Sequence, residues 1–317
     1  MPIQNQATQR REFDPDKYIM HDELQSAVEV AIALGQPLLL TGEPGTGKTL
    51  LARKVAHELH QQDDRFRKKP LVFFTKTTST ARDLFYIYDA VSHFQRANLK
   101  RSESDSAPVT ADFIELQALG QAIAFSNPTA IDSSLFNTPL PDRPQSSVVL
   151  IDEIDKAPRD FTNDILNEIE QFAFQIKEQN NESIAMGPDQ QVVVIMTSNS
   201  EKNLPDAFLR RCVFYHIPFP KPDILLKIVR SQLGEHTQYT ETALTTLIDL
   251  FQEIRENSVR KKPATAELIG WLRMLEMKNY LELNPNHQKD LLLQNLSVLV
   301  KTREDLEAIQ DYLKKSR

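Results

Sequence analysis

The stretch Leu38-Leu39-Leu40-Thr41-Gly42-Glu43-Pro44-Gly45-Thr46-Gly47-Lys48-Thr49 decides how the rest of the chain is read. Its three leucines form a short apolar run of the kind buried on both faces at the centre of a parallel sheet. A glycine-rich turn follows, after which Leu50, Leu51, Val55, Ala56 and Leu59 recur at helical spacing. Strand, loop and helix in this order, with G-x-x-x-x-G-K-[ST] across the junction, make the phosphate-binding loop pattern. Glycines let backbone N–H groups curl around phosphate oxygens where a Cβ would intrude, and the helix N-terminus adds partial positive charge. Three of the chain's eight glycines fall within these six positions, 42–47, a concentration that composition alone does not explain. The pattern implies a nucleoside triphosphate, with Lys48 reaching the β- and γ-phosphates and Thr49 holding Mg²⁺.

A chain of 317 residues, 40% apolar and 26% charged, has the composition of a globular protein long enough for two domains. Its formal net charge of −7 argues against a surface that wraps nucleic acid. The single cysteine, Cys212, excludes an intrachain disulfide and suits a reducing cytoplasm. No apolar signal core opens the chain and no apolar run approaches a membrane span, so the expected location is cytoplasmic, with no membrane partner.

Two more apolar runs end in polar residues that suit the same chemistry. Val148-Val149-Leu150-Ile151 leads into Asp152-Glu153. Carboxylates at the C-terminal edge of an open α/β sheet lie where ligands bind, the first suited to Mg²⁺ and the second to the attacking water. Val192-Val193-Val194-Ile195-Met196 ends in Thr197-Ser198-Asn199, whose amide can reach a γ-phosphate or the water beside it. Asp155 and Lys156 read as solvated turn residues. Further on, Arg210 and Arg211 stand between an apolar helix end and an apolar strand, positions that favour an anion or water. An arginine so placed can meet another subunit's phosphates.

The remaining pattern predicts a helix over 22–34 closed by Gly35, a strand over 71–74, and a helical stretch opening at 80–85. Residues 96–112 read as a flexible polar insertion, followed by a helix carrying Phe113, Leu116, Leu119 and Ile123 on one side. Residues 127–144, with four prolines, read as irregular, 161–172 as helix, and the segment between 174–177 and 191–196 as a hairpin-like excursion. Pro218, Pro220 and Pro222 mark a stiff boundary. Beyond it lie helices over 224–233, 242–256, 265–281, 287–300 and 305–313 and no strand pattern, which argues for a second, smaller domain.

In combination these residues resemble the AAA+ ATPases, specifically the MoxR branch, over roughly residues 15–280. The carriers are residues 42–49 as Walker A, 148–153 as Walker B, Asn199 as sensor 1, Phe208-Leu209-Arg210-Arg211-Cys212 as the arginine-finger segment, and the runs 86–91 and 197–205. The resemblance implies a P-loop AAA+ α/β fold: an αβα parallel-sheet nucleotide-binding domain over 15–220, with an insertion around 96–145, then an all-α lid with C-terminal helices over 221–317, after a flexible N-terminus over 1–14. It implies ATP and Mg²⁺ as ligands and a homo-oligomeric ring, usually hexameric, with ATP at subunit interfaces. The nucleotide-binding set is then Gly42, Glu43, Pro44, Gly45, Thr46, Gly47, Lys48, Thr49 and Leu50; Thr49 and Asp152 serve Mg²⁺. Glu153 activates water, Asn199 senses the γ-phosphate, and Arg211 is the first choice of finger with Arg210 second. One departure concerns sensor 2: the region Arg260-Lys261-Lys262-Pro263-Ala264-Thr265-Ala266-Glu267 has no arginine inside the helix start, leaving Arg260, Lys262 or Arg273 to substitute.

The function expected from this resemblance is ATP hydrolysis coupled to remodelling or activation of a separate partner protein. MoxR-like ATPases often work beside proteins with a von Willebrand factor A domain. Two alternatives stand beside it: a nucleotide-switched binding module in a signalling or defence complex with little turnover, and a GTP-dependent motor of the McrB type. The presence of Glu153 and both arginines favours an enzyme over a switch, and the acidic charge disfavours a DNA motor.

Overall fold

The structure, a computed structural model, describes residues 13–99, 109–200, 204–234 and 237–315. Residues 1–12 of the expected flexible N-terminus, 100–108 of the expected insertion and 201–203 of the run 197–205 lie outside the described residues.

Five parallel strands build the central sheet: β1 (Leu38–Gly42), β2 (Leu71–Phe74), β5 (Ser147–Asp152), β8 (Val192–Thr197) and β9 (Val213–Ile217), in the order β2-β5-β8-β1-β9. The continuous apolar runs occupy the centre because only there are both faces covered: every residue of β1 and β8 is buried. One side of the sheet carries α1 (Asp22–Leu34) and α2 (Lys48–Gln62), whose Leu24, Val28, Leu51 and Val55 pack on Leu38, Leu40, Leu150 and Ile195. The opposite side packs Leu39, Val149, Ile151 and Met196 against Ile123 of α4 (Ala118–Ser126) and Phe161 and Ile165 of α5 (Arg159–Gln171). The architecture is therefore an αβα sandwich followed by C-terminal helices, as expected. Helix α1 starts on His21, whose ring accepts from Leu24 N at 3.2 Å, and stops at Gly35 in the left-handed region.

Two small antiparallel sheets depart from the sequence pattern or refine it. Residues 80–85 do not open a helix: a 3₁₀ turn (Ala81–Leu84) leads into β3 (Tyr86–Tyr88), which pairs with β4 (Ile114–Leu116). Phe113 and Leu116 accordingly sit outside helix α4, and only Leu119 and Ile123 of the expected stripe are helical. Three-residue strands carry too short a period to read. The polar stretch expected to be flexible begins in helix α3 (Ala90–Leu99) and ends in a 3₁₀ turn (Thr110–Phe113). The hairpin-like excursion is a hairpin of β6 (Ala173–Ile176) and β7 (Glu182–Ala185).

The C-terminal helices are α7 (Pro222–Leu233), α8 (Glu241–Asn257), α9 (Thr265–Met277), α10 (Pro285–Gln294) and α11 (Arg303–Lys315), with the short α6 (Asp206–Leu209) preceding β9. Leu225, Leu247, Phe251, Trp271, Leu296 and Ile309 form a core of their own, in which Trp271 is fully buried. Helix α9 ends four residues earlier than the pattern predicts because Asn279 turns left-handed, and the stretch 287–300 is broken by a 3₁₀ turn (Leu296–Val298). Among the described residues no helix is long and apolar enough to cross a membrane.

One buried carboxylate staples this helical unit. Asp305, in the first turn of α11 and fully buried, accepts from the amides of Val259, Arg260 and Lys261 at 2.7, 2.9 and 3.0 Å and from the Thr302 hydroxyl at 2.7 Å. Burial alone would raise its pKa, but the Arg260 amide, the Thr302 hydroxyl and the Lys261 and Val259 amides outweigh burial and hold it at about 2. A depressed carboxylate stabilises the fold fully above its unfolded pKa, near ~4, and loses that contribution as pH falls through about 2. In urea titrations at pH 7, Asp305→Asn is expected to cost about 1–3 kcal/mol. The gap between variant and wild type should close as pH drops from ~4 toward ~2.

Candidate active site

Because the sheet is parallel, β1, β5 and β8 all deliver their C-terminal ends to one edge, and the candidate residues meet there. Strand β1 runs into the glycine loop at Gly42, whose φ of 144° and close approach to Ile217 O, 2.6 Å from where a Cβ would stand, admit no side chain. Gly47, at φ 90°, turns the loop into α2. The exposed tip is Glu43, Pro44 and Gly45; Thr46 donates to Glu43 O at 2.8 Å, and Leu50 N closes the first helical turn on Gly47 O.

Lys48, the first residue of α2, is buried at 8% exposure and has its Nζ against Gly42 O (2.7 Å), Glu43 O (2.9 Å) and Asn199 Oδ1 (3.2 Å). Burial lowers its pKa, and the nearby Asp155, Asp152, Glu153 and Glu43 carboxylates work against that shift. The loop thus holds its lysine on carbonyl oxygens, at the place where anionic oxygens would be better partners.

Thr49 donates to Asp152 Oδ1 at 3.0 Å, joining the two residues expected to serve Mg²⁺. Both supply hard oxygen donors, the type Mg²⁺ takes. The same Asp152 oxygen accepts from the Thr197 hydroxyl at 2.6 Å, and that hydroxyl in turn accepts from Glu153 N at 2.9 Å. Thr197 therefore fixes both carboxylate residues from the neighbouring strand. Glu153 has φ 57°, left-handed for a residue with a side chain, a conformation that costs on the order of 1–3 kcal/mol and clusters at functional positions. Its carboxylate faces Lys156 Nζ, and Asn199 Nδ2 lies 3.5 Å away. Asn199 N donates to Asp155 Oδ1 at 3.2 Å. Asp155 and Lys156 are thus engaged with the site and are not free solvated turn residues, because the 3₁₀ turn Ile154–Lys156 folds them back on Glu153 and Asn199.

Lys48, Thr49, Asp152, Glu153 and Asn199 are brought together; Arg210 and Arg211 are not. Both arginines are exposed after α6. Arg211 pairs with Glu170 Oε1 at 2.7 Å and donates to Ala207 O at 3.1 Å, whereas Arg210 has no side-chain partner among the described residues. Of the three stand-ins for sensor 2, Arg260 pairs with Glu304 and Arg273 donates to Gln232 O at 2.9 Å. The lid arginine that forms an ion pair with the loop is Arg255 of α8, bonded to Glu43. Neither Arg255 nor Thr197 is legible in the sequence as a site residue; Thr197 is flagged only by standing at the polar end of an apolar strand. A cavity of about 720 Å³ lies apart from this edge, between Arg82, Tyr86, Asp164, Glu168 and Phe174.

Residues 37–212, more than half of the chain, match the AAA domain, dynein-related subfamily. The chain belongs to this family of P-loop AAA+ ATPases. Among solved structures it is similar to domain III of the replication initiation protein DnaA from Thermotoga maritima, at 14% identity and a TM-score of 0.47, covering 90% of this chain and 97% of that one. No curated protein matches the chain.

Thr197→Val keeps shape but removes the hydroxyl, leaving Glu153 N without its acceptor. The expected cost is about 1–3 kcal/mol of stability, read as a lower urea midpoint with unchanged slope.

Proposed function

We propose that this AAA protein hydrolyses ATP to ADP and phosphate and uses the reaction to remodel or activate a separate protein, in the manner of the MoxR branch. The observation that carries the reading is the convergence of Lys48, the Thr49–Asp152 pair and the Glu153–Asn199 pair on one sheet edge. Phosphates entering the glycine loop give Lys48 anionic partners in place of Gly42 O and Glu43 O. Thr49 and Asp152 would hold Mg²⁺, which would supply charge neutralisation on the phosphate oxygens. Asn199, released from Lys48, orients toward the γ-phosphate. Glu153 parts from Lys156 and takes the proton of the attacking water.

A finger arginine completes the site from the neighbouring copy of a homo-oligomeric ring, taken to be hexameric and cytoplasmic. Exposure of Arg210 and Arg211 outside their own chain's site supports that division. Arg211 would exchange a surface pair with Glu170, a contact worth about 0–1 kcal/mol, for phosphate. In this reading residues 15–220 form the nucleotide-binding domain with its insertion at 96–145, and 221–317 form the lid and C-terminal helices. Val91 and Phe94 of α3, 67% and 70% exposed, support a protein partner, with a von Willebrand factor A protein as the effector to seek first. The alternative, a nucleotide switch with little turnover, draws on one observation: Lys156 occupies the carboxylate of Glu153.

The purified chain should bind ATP with Mg²⁺ and show turnover that rises with protein concentration. Glu153→Gln should retain binding and lose about 10²–10⁴-fold in kcat. A monomer whose turnover is unchanged by Glu153→Gln overturns the proposal. ATP binding without turnover in the wild type favours the switch, and preference for GTP in direct competition favours the McrB-type motor.

Replacing Arg210 or Arg211 by Ala should lower kcat about 10³-fold or more at one of the two positions. Adding a Glu153→Gln chain, which still offers its arginine, should restore part of the lost rate. No loss at either position removes the shared-site arrangement.

A further inference from the structure

The helical unit touches the glycine loop at two points, and they differ in chemistry. The first is steric: a Cβ on Gly45 would stand 3.0 Å from Ala264 Cβ and 3.6 Å from Ala266 Cβ, at the start of α9. The second is ionic: Arg255 Nη2 meets Glu43 Oε2 at 2.5 Å, across 212 positions of sequence.

Arg255 is held by more than that pair. It is only 9% exposed, its Nη1 donates to Pro263 O at 2.7 Å, and its guanidinium lies 3.7 Å from the centroid of the Phe219 ring. Phe219 in turn stacks on Phe251 of the helical core at 6.3 Å. The direction of the guanidinium is therefore set by the helical unit, and its charge is removed from water, so it requires an anionic partner. Glu43 is the reverse case: its side chain is 46% exposed and free to follow whatever holds it. The Glu43 carbonyl, meanwhile, accepts from Lys48 Nζ and from the Thr46 hydroxyl. One residue thus carries the lid's cation on its side chain and the loop's own lysine on its backbone.

The charge balance gives this pair a consequence. The start of α9 brings no arginine to the loop but a carboxylate, Glu267, whose Oε2 caps Ala264 N at 3.1 Å and lies 3.7 Å from the Cβ position of Gly45. Two carboxylates, Glu43 and Glu267, consequently border a loop built for phosphates. Arg255 is the buried cation that offsets one of them.

We propose that Arg255 is a positioning residue for nucleotide: through Glu43 it ties the lid to the glycine loop and neutralises a carboxylate that would otherwise repel phosphate. The inference rests on the reading of residues 42–49 as the ATP loop. It assigns lid-to-loop coupling to the second lid helix, acting through a protein carboxylate and not by direct contact with phosphate.

A double-mutant cycle tests it on the full chain, reading the Kd of a fluorescent ATP analogue with Mg²⁺ and, on each variant, the urea midpoint. Arg255→Ala should weaken binding about tenfold or more, within the range of measured site couplings. Adding Glu43→Gln to Arg255→Ala should restore most of that affinity, because the uncompensated carboxylate is gone. Arg255→Lys should also bind weakly, since an ammonium cannot stack on Phe219 while bonding Pro263 O and Glu43 together. If Arg255→Ala fails to fold, the cycle is run with Arg255→Lys. Wild-type affinity in Arg255→Ala, or strictly additive losses in the cycle, overturns the inference and leaves the ATP reading intact. A wild-type chain that binds no nucleotide overturns both.

Discussion

A lysine ammonium at 8% exposure, ringed by backbone carbonyls and one amide oxygen, is the constraint on which the rest of the site depends. Burying such a charge costs several kcal/mol unless oxygens surround it. Among the described residues no carboxylate touches Lys48 directly; the loop presents Gly42 O and Glu43 O to it, and its backbone turns at left-handed glycines. The bend requires a fixed base, which β1 supplies by pairing on both edges, with β8 and with β9. It also requires the third oxygen to arrive from another strand, which places the end of β8 next to the end of β1.

Asp152 shows how few hydrogen bonds organise the acidic half. Its Oδ1 accepts from hydroxyls on both flanking elements, Thr49 of α2 and Thr197 of β8, so the carboxylate is oriented from two sides. Thr197 then takes the amide of Glu153, which helps to hold that residue in its left-handed turn. The two carboxylates have different surroundings: Asp152 lies between two hydroxyls, whereas Glu153 faces the Lys156 ammonium.

What was legible in the sequence is what a period or a composition can carry. The runs 38–40, 148–151 and 192–196 read as strands because both faces of each are buried, and the carboxylates and amide at their ends fall on one edge because the strands are parallel. Strands β3 and β4 were not legible: three residues each give no period, and their pairing joins positions about 28 apart, Tyr86 with Leu116 among them. The engagement of Asp155 and Lys156 was hidden because it depends on the turn at Glu153, a backbone feature that no residue type announces. Arg255 was hidden for a different reason. On sequence it is one charge in an amphipathic helix, and only its partner 212 positions away distinguishes it from a solvated one.

The loop between α8 and α9 is clamped at both ends by groups that do not belong to it. Asp305 takes the amides of Val259, Arg260 and Lys261, and Arg255 takes the carbonyl of Pro263. Next along the chain is Ala264, whose Cβ lies 3.0 Å from where a Cβ on Gly45 would stand. A segment held by four such bonds to buried or nearly buried groups has little freedom to absorb a displacement. The side of the helical unit that faces the glycine loop at Gly45 and Glu43 is therefore held in place by the helical unit itself. With no arginine at the start of α9, the ionic contact between the helical unit and the glycine loop runs through one of the loop's own carboxylates, Glu43.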